Sequence, residues 1–180
     1  MVKHHGLIAA AFLLAIAMPA GAADKPAEVS VKVYKTTAEK GLGEYVGKVY
    51  FKDSDKGLVI VPRLKGLPPG DHGFHVHEKR SCAAHKHADG KMVPGLAAGG
   101  HYDPQKTGKH LGPDGDGHLG DLPVLKVAAD GSTSGKLMAK RLKVADLKKR
   151  SLMIHAGGDN YSDQPAALGG GGARLACGSF

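Results

Sequence analysis

The chain has 180 residues, of which 25 are basic and 17 acidic, so its formal net charge is +8 with histidine neutral. A positive field of this kind favours an anionic partner. The basic residues are scattered, however, and the five tyrosines and four phenylalanines are few for stacking on bases. The composition therefore argues against a nucleic-acid-binding protein.

Residues 1–22 have the layout of a targeting segment. A basic start precedes the apolar run LIAAAFLLAIAM and a small-residue end at Ala20-Gly21-Ala22, which is typical of a cleaved secretory signal peptide. A transmembrane helix is the alternative, but it needs roughly 18 to 20 apolar residues. We therefore expect a mature domain at residues 23–180, outside the cytoplasm, with no membrane segment of its own. Removing Lys3 leaves it with a charge of about +7.

Short runs of alternating or continuous apolar residues follow the leader, separated by Gly, Pro, Asp and Ser. Such runs predict β-strands. They occupy residues 29–34, 45–52, 57–64, 72–78, 123–130, 135–142, 151–156 and 173–180. Eight short strands indicate an all-β sandwich or barrel. The Asp130-Gly131 pair predicts a tight hairpin, and residues 144–150 favour one or two helical turns.

Two long stretches interrupt the strands: residues 79–122, rich in His, Gly and Asp, and residues 157–172, which contain consecutive glycines. Long loops in a compact domain are usually functional. The two cysteines, Cys82 and Cys177, are predicted to form a structural disulfide, because secreted proteins fold in an oxidising environment where such pairs join. Two free thiols are the alternative.

The segment HGFHVHE at residues 72–78 brings three histidines together. On a strand His75 and His77 project to the same face, while Phe74 and Val76 project to the other. This geometry suits chelation of a metal. The competing interpretation is an exposed strand edge on which histidines happen to fall.

A second set of ligand residues lies in the first long loop. Three imidazoles and one carboxylate form a tetrahedral zinc ligand set, and they are His101, His110, His118 and Asp121. Three further histidines, His75, His77 and His155, remain for a second metal, since imidazole also suits copper, iron or nickel. Two four-coordinate sites need eight ligand atoms, but only seven ligand residues are available. One imidazole could therefore bind both metals, one through each ring nitrogen. The spacing does not say which one.

Four motifs in this order, GFHVHE, AGGHYDP, GHLGDLP and GGGGARLACG, resemble the copper/zinc superoxide dismutases over residues 28–180. The signal peptide and the glycines before Arg174 resemble the bacterial secreted branch. The resemblance implies an eight-stranded antiparallel Greek-key barrel or sandwich, immunoglobulin-like, with two long functional loops. It also implies one copper and one zinc per subunit, a periplasmic location and superoxide anion as the substrate.

The resemblance further assigns individual residues. It implies that copper is bound by His75, His77, His101 and His155, and zinc by His101, His110, His118 and Asp121, with His101 bridging the metals and taking part in catalysis. Asp159 matches an aspartate that links a copper histidine to a zinc histidine. Arg174 matches the catalytic arginine that docks the anion beside copper. The alternative interpretation of Arg174 is a surface charge on a strand edge. The alternative interpretation of Asp159 is a residue that forms a turn.

Further histidines and lysines lie outside the two ligand sets. His72 matches a structural histidine that bonds backbone near the site. His85 and His87 match no ligand of the family, so we expect them to be exposed rather than an accessory metal site. Lys86 and Lys91 are candidates for steering the substrate, because the loop at 157–172 has no lysine.

The sequence is compatible with three functions. An enzyme that dismutes superoxide is favoured, a protein that binds or buffers copper and zinc is the alternative, and a zinc hydrolase is disfavoured because four protein ligands close the zinc set. Arg174 argues against buffering, since storage needs no anion dock.

The sequence leaves open whether the protein is a monomer or a homodimer. The Ser179-Phe180 end departs from the family's apolar tail and could change a packing contact.

Overall fold

The computed structural model describes residues 1–2 and 26–180. The predicted signal peptide therefore lies, from residue 3 onward, outside the described residues. Within the described ranges, no helix is long and apolar enough to cross a membrane.

The regular secondary structure of the described residues consists mainly of β-strands. They are β1 (Glu28–Thr37), β2 (Gly41–Ser54), β3 (Gly57–Leu64), β4 (Gly70–His72), β5 (Phe74–His77), β6 (His85–Lys86), β7 (Met92–Val93), β8 (Leu125–Val127), β9 (Leu137–Ala139), β10 (Ser151–His155) and β11 (Arg174–Ser179). Short 3-10 helices span Leu96–Ala98, Val144–Leu147 and Ala167–Gly170. Every strand pair is antiparallel. The all-β prediction is confirmed.

Seven strands form the main sheet in the order β5-β10-β11-β1-β2-β3-β9, while β4 pairs with β8 and β6 pairs with β7. Strands β1, β2 and β3 follow one another as a meander, whereas β11 and β10 return from the end of the chain to lie between β1 and β5. This crossover is characteristic of Greek-key connectivity. It brings the histidine-bearing strands β5 and β10 side by side.

All eight predicted strands are present, with differences at their ends. The run at 72–78 is divided at Gly73 into β4 and β5. The predicted hairpin at Asp130-Gly131 is wrong: a turn forms there, with Gly131 at φ +76°, but β8 pairs with β4 and β9 with β3. Thr133 causes the change, because its backbone N–H and hydroxyl oxygen bond Leu64 of β3.

The core lies on one face of the sheet. The alternating side chains of β1, β2 and β3 enter it, including Val33, Phe51 and Ile60, each at most 1% exposed. Burying one such side chain stabilises the fold by about 1.5 to 3 kcal/mol. Phe180 packs edge-on against Phe51 with ring centroids 5.2 Å apart. The unusual end of the chain thus keeps an apolar contact with the core.

A disulfide joins Cys82 in the first long loop to Cys177 on β11, with Cα atoms 5.7 Å apart. The predicted pairing is confirmed, and the described residues contain no free cysteine. The bond closes 95 residues of sequence separation and sits in a small buried cluster with Ala98 and Met153. It fixes the loop against the sheet close to Arg174.

We expect the Cys82→Ala/Cys177→Ala variant to lose about 2 to 5 kcal/mol of its free energy of unfolding, because the denatured chain is no longer constrained. Thermal or denaturant unfolding measures this loss. A reductant should lower the Tm of the unsubstituted protein and leave that of the variant unchanged. Equal stability of the two proteins would contradict a structural role for the bond.

Candidate metal centre

Strand β5 has two differently used faces. Its sequence FHVH is buried at every residue, with Phe74 and Val76 in the hydrophobic core. Because side chains alternate along a strand, His75 and His77 project to the opposite face. That face is covered by the long loops, so both imidazoles are buried and not on an exposed edge.

The first long loop docks on the backbone of β5. The N–H of Val76 donates to Gly120 O, and Val76 O accepts from the N–H of Tyr102, each at 2.8 Å. Isolated bridges also pair His75 with Asp121 and His77 with His101. This pairing explains how residues distant in sequence are brought beside the β5 histidines.

Strand β10 supplies His155 from the other side of β5. Ile154 lies in the core, and a register shift between Ile154 and His155 places His155 opposite Arg174 of β11. Such bulges redirect side chains near functional sites. The extra residue lies in β11, so the shift redirects Arg174. His155 lies on the same side as the β5 histidines because Ile154 enters the core and side chains alternate along β10, and it is 7% exposed.

Four imidazoles converge at one end of the site, with ligand atoms within 4.8 Å of one another: His75, His77, His101 and His155. Hydrogen bonds select the nitrogen that each ring offers. His77 donates Nδ1–H to Gly99 O at 2.9 Å and His155 donates Nδ1–H to Gly172 O at 3.2 Å. Their Nε2 atoms are thereby left facing each other at 3.4 Å.

Three imidazoles surround Asp121 at the other end. The Nδ1 atoms of His101 and His110 each lie 2.9 Å from its carboxylate, and Nδ1 of His118 lies 3.5 Å away. A second group within 4.8 Å contains His75 in place of His118. His75 belongs there because its ring stacks on His101 at 3.9 Å, but its Nε2–H is committed to Asp159. His118 is therefore a better third histidine than His75 for the set formed with His101, His110 and Asp121.

Several buried side-chain nitrogen and oxygen atoms in these groups have no hydrogen-bond partner: His75 Nδ1, His101 Nε2, His110 Nδ1, His118 Nδ1 and Asp121 Oδ2. His110 Nδ1 and Asp121 Oδ2 lie 2.9 Å apart but form no hydrogen bond. Unpaired buried polar atoms are costly, and a cation relieves that cost. Three nitrogens and a carboxylate suit zinc, and imidazoles suit copper. The donor set thus fits both metals.

The electrostatics keep most of these imidazoles neutral. Burial lowers the pKa of His75 to about 3 and of His155 to about 4, and it holds the pKa of His77 and His101 below the ordinary value. His110 differs: burial opposes its charge, but the Asp121 and Asp159 carboxylates raise its pKa to about 9. Neutral imidazoles with free lone pairs are the form that binds metals.

Asp159 links the two ends of the cluster. Its Oδ2 accepts from His75 Nε2–H and its Oδ1 from His110 Nε2–H, both at 2.7 Å. Its carboxylate is buried, and these bonds hold its pKa below the usual range against the effect of burial. Carboxylates in this position orient metal-binding imidazoles and increase their basicity.

Arg174 lies at the open side of the cluster. Its guanidinium donates to Gly95 O and Gly99 O, each at 2.6 Å, so Gly99 O connects it to His77. Burial lowers the pKa of Arg174, but a guanidinium stays charged at neutral pH. Among the described residues, no carboxylate forms an ion pair with it. Its positive charge is available to a small anion.

The structure also places the secondary candidates. Both ring nitrogens of His72 lie within 2.8 Å of backbone carbonyl oxygens, those of His155 and Pro68, in agreement with a structural role. His85 and His87 are exposed, at the β6–β7 hairpin, as are Lys86 and Lys91. Sequence reasoning missed Asp163, whose carboxylate accepts from the N–H of His110 at 2.9 Å. No spacing signal indicated this contact.

Comparison with known proteins agrees with the geometry. Residues 45–180 match the family model described as copper/zinc superoxide dismutase (SODC). The chain belongs to the copper/zinc superoxide dismutase family. Among its curated relatives, "Superoxide dismutase [Cu-Zn]" of Brucella abortus is 51% identical over 96% of each chain. The corresponding protein of Escherichia coli K12 is 50% identical over 92% of each chain.

Solved structures of copper/zinc superoxide dismutases share the fold. The Brucella abortus enzyme superposes with a TM-score of 0.82 at 54% identity, covering 85% of this chain and 99% of that one. The monomeric copper, zinc superoxide dismutase from Salmonella enterica gives a TM-score of 0.75 at 52% identity over the same shares. The fold prediction, including the immunoglobulin-like barrel, is confirmed by these neighbours.

Proposed function

We propose that this protein dismutes superoxide: two superoxide anions and two protons give one oxygen and one hydrogen peroxide. In the proposal, copper is held by His75, His77, His101 and His155, and zinc by His101, His110, His118 and Asp121. The predicted leader and the bacterial relatives support a periplasmic location for the mature domain at residues 23–180. The similarity to a monomeric enzyme is compatible with either a monomer or a homodimer.

The environment of His101 carries this proposal. Its Nδ1 lies 2.9 Å from Asp121 Oδ1, whereas its Nε2 is buried without a partner among the rings of His75, His77 and His155. One imidazole thus faces both ligand sets through different nitrogens. A bridge between two metals requires this arrangement, and two independent metal sites do not.

The chemistry follows from the placement of these groups. Copper supplies a one-electron redox couple when bound, whereas zinc has none. Asp121 and the docked loop hold the ring of His101 in place from its Nδ1 side, so that its Nε2, when not bound to copper, would be free to accept a proton and pass it to a peroxide anion. The imidazoles of His75, His77 and His155 around it are neutral at physiological pH, because burial lowers their pKa.

Arg174 gives the site its affinity for the substrate. Superoxide is a small anion, and an unpaired guanidinium fixed by Gly95 O and Gly99 O attracts it towards the imidazole cluster. Because those two carbonyls already orient the group, little side-chain entropy is lost when the anion binds. A protein that only buffers copper and zinc has no use for this charge.

Stoichiometry separates turnover from buffering. The protein loaded with copper and zinc is mixed with superoxide generated by pulse radiolysis, and the decay is followed through many equivalents per copper. We expect first-order decay proportional to protein concentration, with no loss of rate between pulses. Consumption that stops after about one equivalent of superoxide would support a binding protein and refute the enzyme.

Lys86 and Lys91 are proposed to steer superoxide, since both are exposed and lie in the disulfide-bearing loop. Lys91 Nζ is 3.9 Å from Asp89, a pair that leaves Lys86 as the freer charge. We expect Lys86→Gln/Lys91→Gln to lower the rate severalfold at low salt and to weaken its dependence on ionic strength. Lys56→Gln, also exposed and placed in the turn between β2 and β3, is the control. An unchanged salt dependence would contradict the assignment.

A further inference from the structure

Arg141, which follows the edge strand β9, reaches across to the loop that carries His118. Its guanidinium donates to Gly117 O at 2.8 Å, to His118 O at 3.4 Å and to Gly115 O. One side chain therefore bonds three carbonyls within four consecutive residues. Among the described residues, no hydrogen bond joins the Arg141 side chain to an imidazole, and neither the zinc set nor the copper set accounts for Arg141.

The loop is anchored at Tyr102, His110 and Gly120, but residues 111–117 make no backbone–backbone hydrogen bond with the rest of the described chain. Residues 102–120 contain no helix or strand, so their carbonyls lack the partners that a ladder provides. The N–H of His118 donates to Lys109 O at 2.9 Å and closes the base of the loop. Gly117 fits there because a Cβ would collide with Lys109 O. The backbone of His118 is thus held on one side by Lys109 and on the other by Arg141.

We propose that Arg141 is a positioning residue for zinc: its fork holds the 115–118 backbone so that His118 Nδ1 faces Asp121. This inference rests on the proposed zinc set. Nδ1 of His118 is the nitrogen farthest from the Asp121 carboxylate, at 3.5 Å against 2.9 Å for the other two. Among the described residues, no hydrogen bond orients the His118 ring, whereas His101 bonds Asp121 and His110 bonds Asp159. The position of His118 therefore depends most on its loop.

The guanidinium is suited to this task in a way that an ammonium is not. Arginine presents several N–H groups in a planar fork, whereas lysine offers a single point charge on a flexible stem. The neighbouring residue provides a matched contrast, because Lys140 Nζ contacts Asp114 of the same loop at 2.9 Å through an exposed ion pair. Exposed ion pairs of this kind contribute little to stability. Lys140 therefore contacts the same loop as Arg141 without holding its backbone.

The test measures metal release from the protein loaded with copper and zinc. Zinc transfer to a chromogenic chelator is followed for the unsubstituted protein and for Arg141→Ala, Arg141→Lys and Lys140→Ala, with copper followed by its visible absorption. We expect Arg141→Ala to release zinc about 10- to 100-fold faster, as for other groups that orient ligands. Arg141→Lys should also accelerate release, Lys140→Ala should leave it unchanged, and copper should be retained throughout.

The outcomes are distinguishable. Equal zinc release by Arg141→Ala and the unsubstituted protein overturns the inference, as does equal acceleration of zinc and copper release with a lowered Tm, which indicates general destabilisation. If Arg141→Ala does not fold, Arg141→Lys decides by the same criteria. Failure of the unsubstituted protein to bind zinc would instead refute the proposed function.

Discussion

Replacing His155 with alanine is expected to abolish superoxide dismutation. His155 offers its Nε2 3.4 Å from that of His77, and its ring is fixed by the bond to Gly172 O. Changing a group that merely orients a ligand already costs about 10- to 100-fold in metal affinity. Loss of a direct ligand should cost more, and the rate should fall by more than about 100-fold at limiting copper.

The rate of superoxide decay and the copper content of the purified variant are measured together. Zinc should remain near one per chain, because His155 takes no part in the set around Asp121. His85→Ala is the matched control, since His85 is an exposed histidine and should retain full activity. A His155→Ala variant that keeps both copper and activity would exclude His155 from the copper site.

The second large effect is expected at Arg174. Arg174→Ala should lower the rate about 10- to 100-fold while both metals remain bound. A hydrogen bond to a charged group contributes about 1.5 to 3 kcal/mol, which corresponds to that range of rates. The rate of Arg174→Lys should lie between those of the unsubstituted protein and Arg174→Ala. Lysine keeps the positive charge but lacks the planar fork that Gly95 O and Gly99 O orient.

Arg63→Ala serves as the control for Arg174, since Arg63 is exposed on β3 and its removal changes the net charge equally. The rates are compared at several ionic strengths, with metal content measured in each sample. Equal rates for Arg174→Ala and Arg63→Ala would show that Arg174 acts only through net charge. Loss of copper from Arg174→Ala would show that it acts by holding the loop beside His77.

Much of the fold was predictable because alternation along a strand is local. The runs at 57–64 and 151–156, for example, correspond closely to β3 and β10. The partner of a strand is not local, and the Asp130-Gly131 turn shows the consequence. Its sequence predicts a tight turn correctly, but Thr133 bonds Leu64 and takes the chain to a different strand.

The candidate ligands were likewise predictable, since histidine and aspartate carry their chemistry in the side chain. The groups that orient them were harder to find, because many are backbone carbonyls. Gly99 O and Gly172 O select the free nitrogens of His77 and His155, and any residue could supply a carbonyl. Asp163 and Arg141 were missed for a related reason: each bonds backbone distant in sequence, so no spacing indicates its role.

The central claim is that one histidine joins two metals in a single centre. Anomalous diffraction from crystals of the metal-loaded protein, collected at the copper and zinc absorption edges, tests it directly. We predict one copper within bonding distance of His75 Nδ1 and the Nε2 atoms of His77, His101 and His155. One zinc should lie within bonding distance of Asp121 and of Nδ1 of His101, His110 and His118. Two metals that share no ligand, or a zinc that His118 does not contact, would contradict the account.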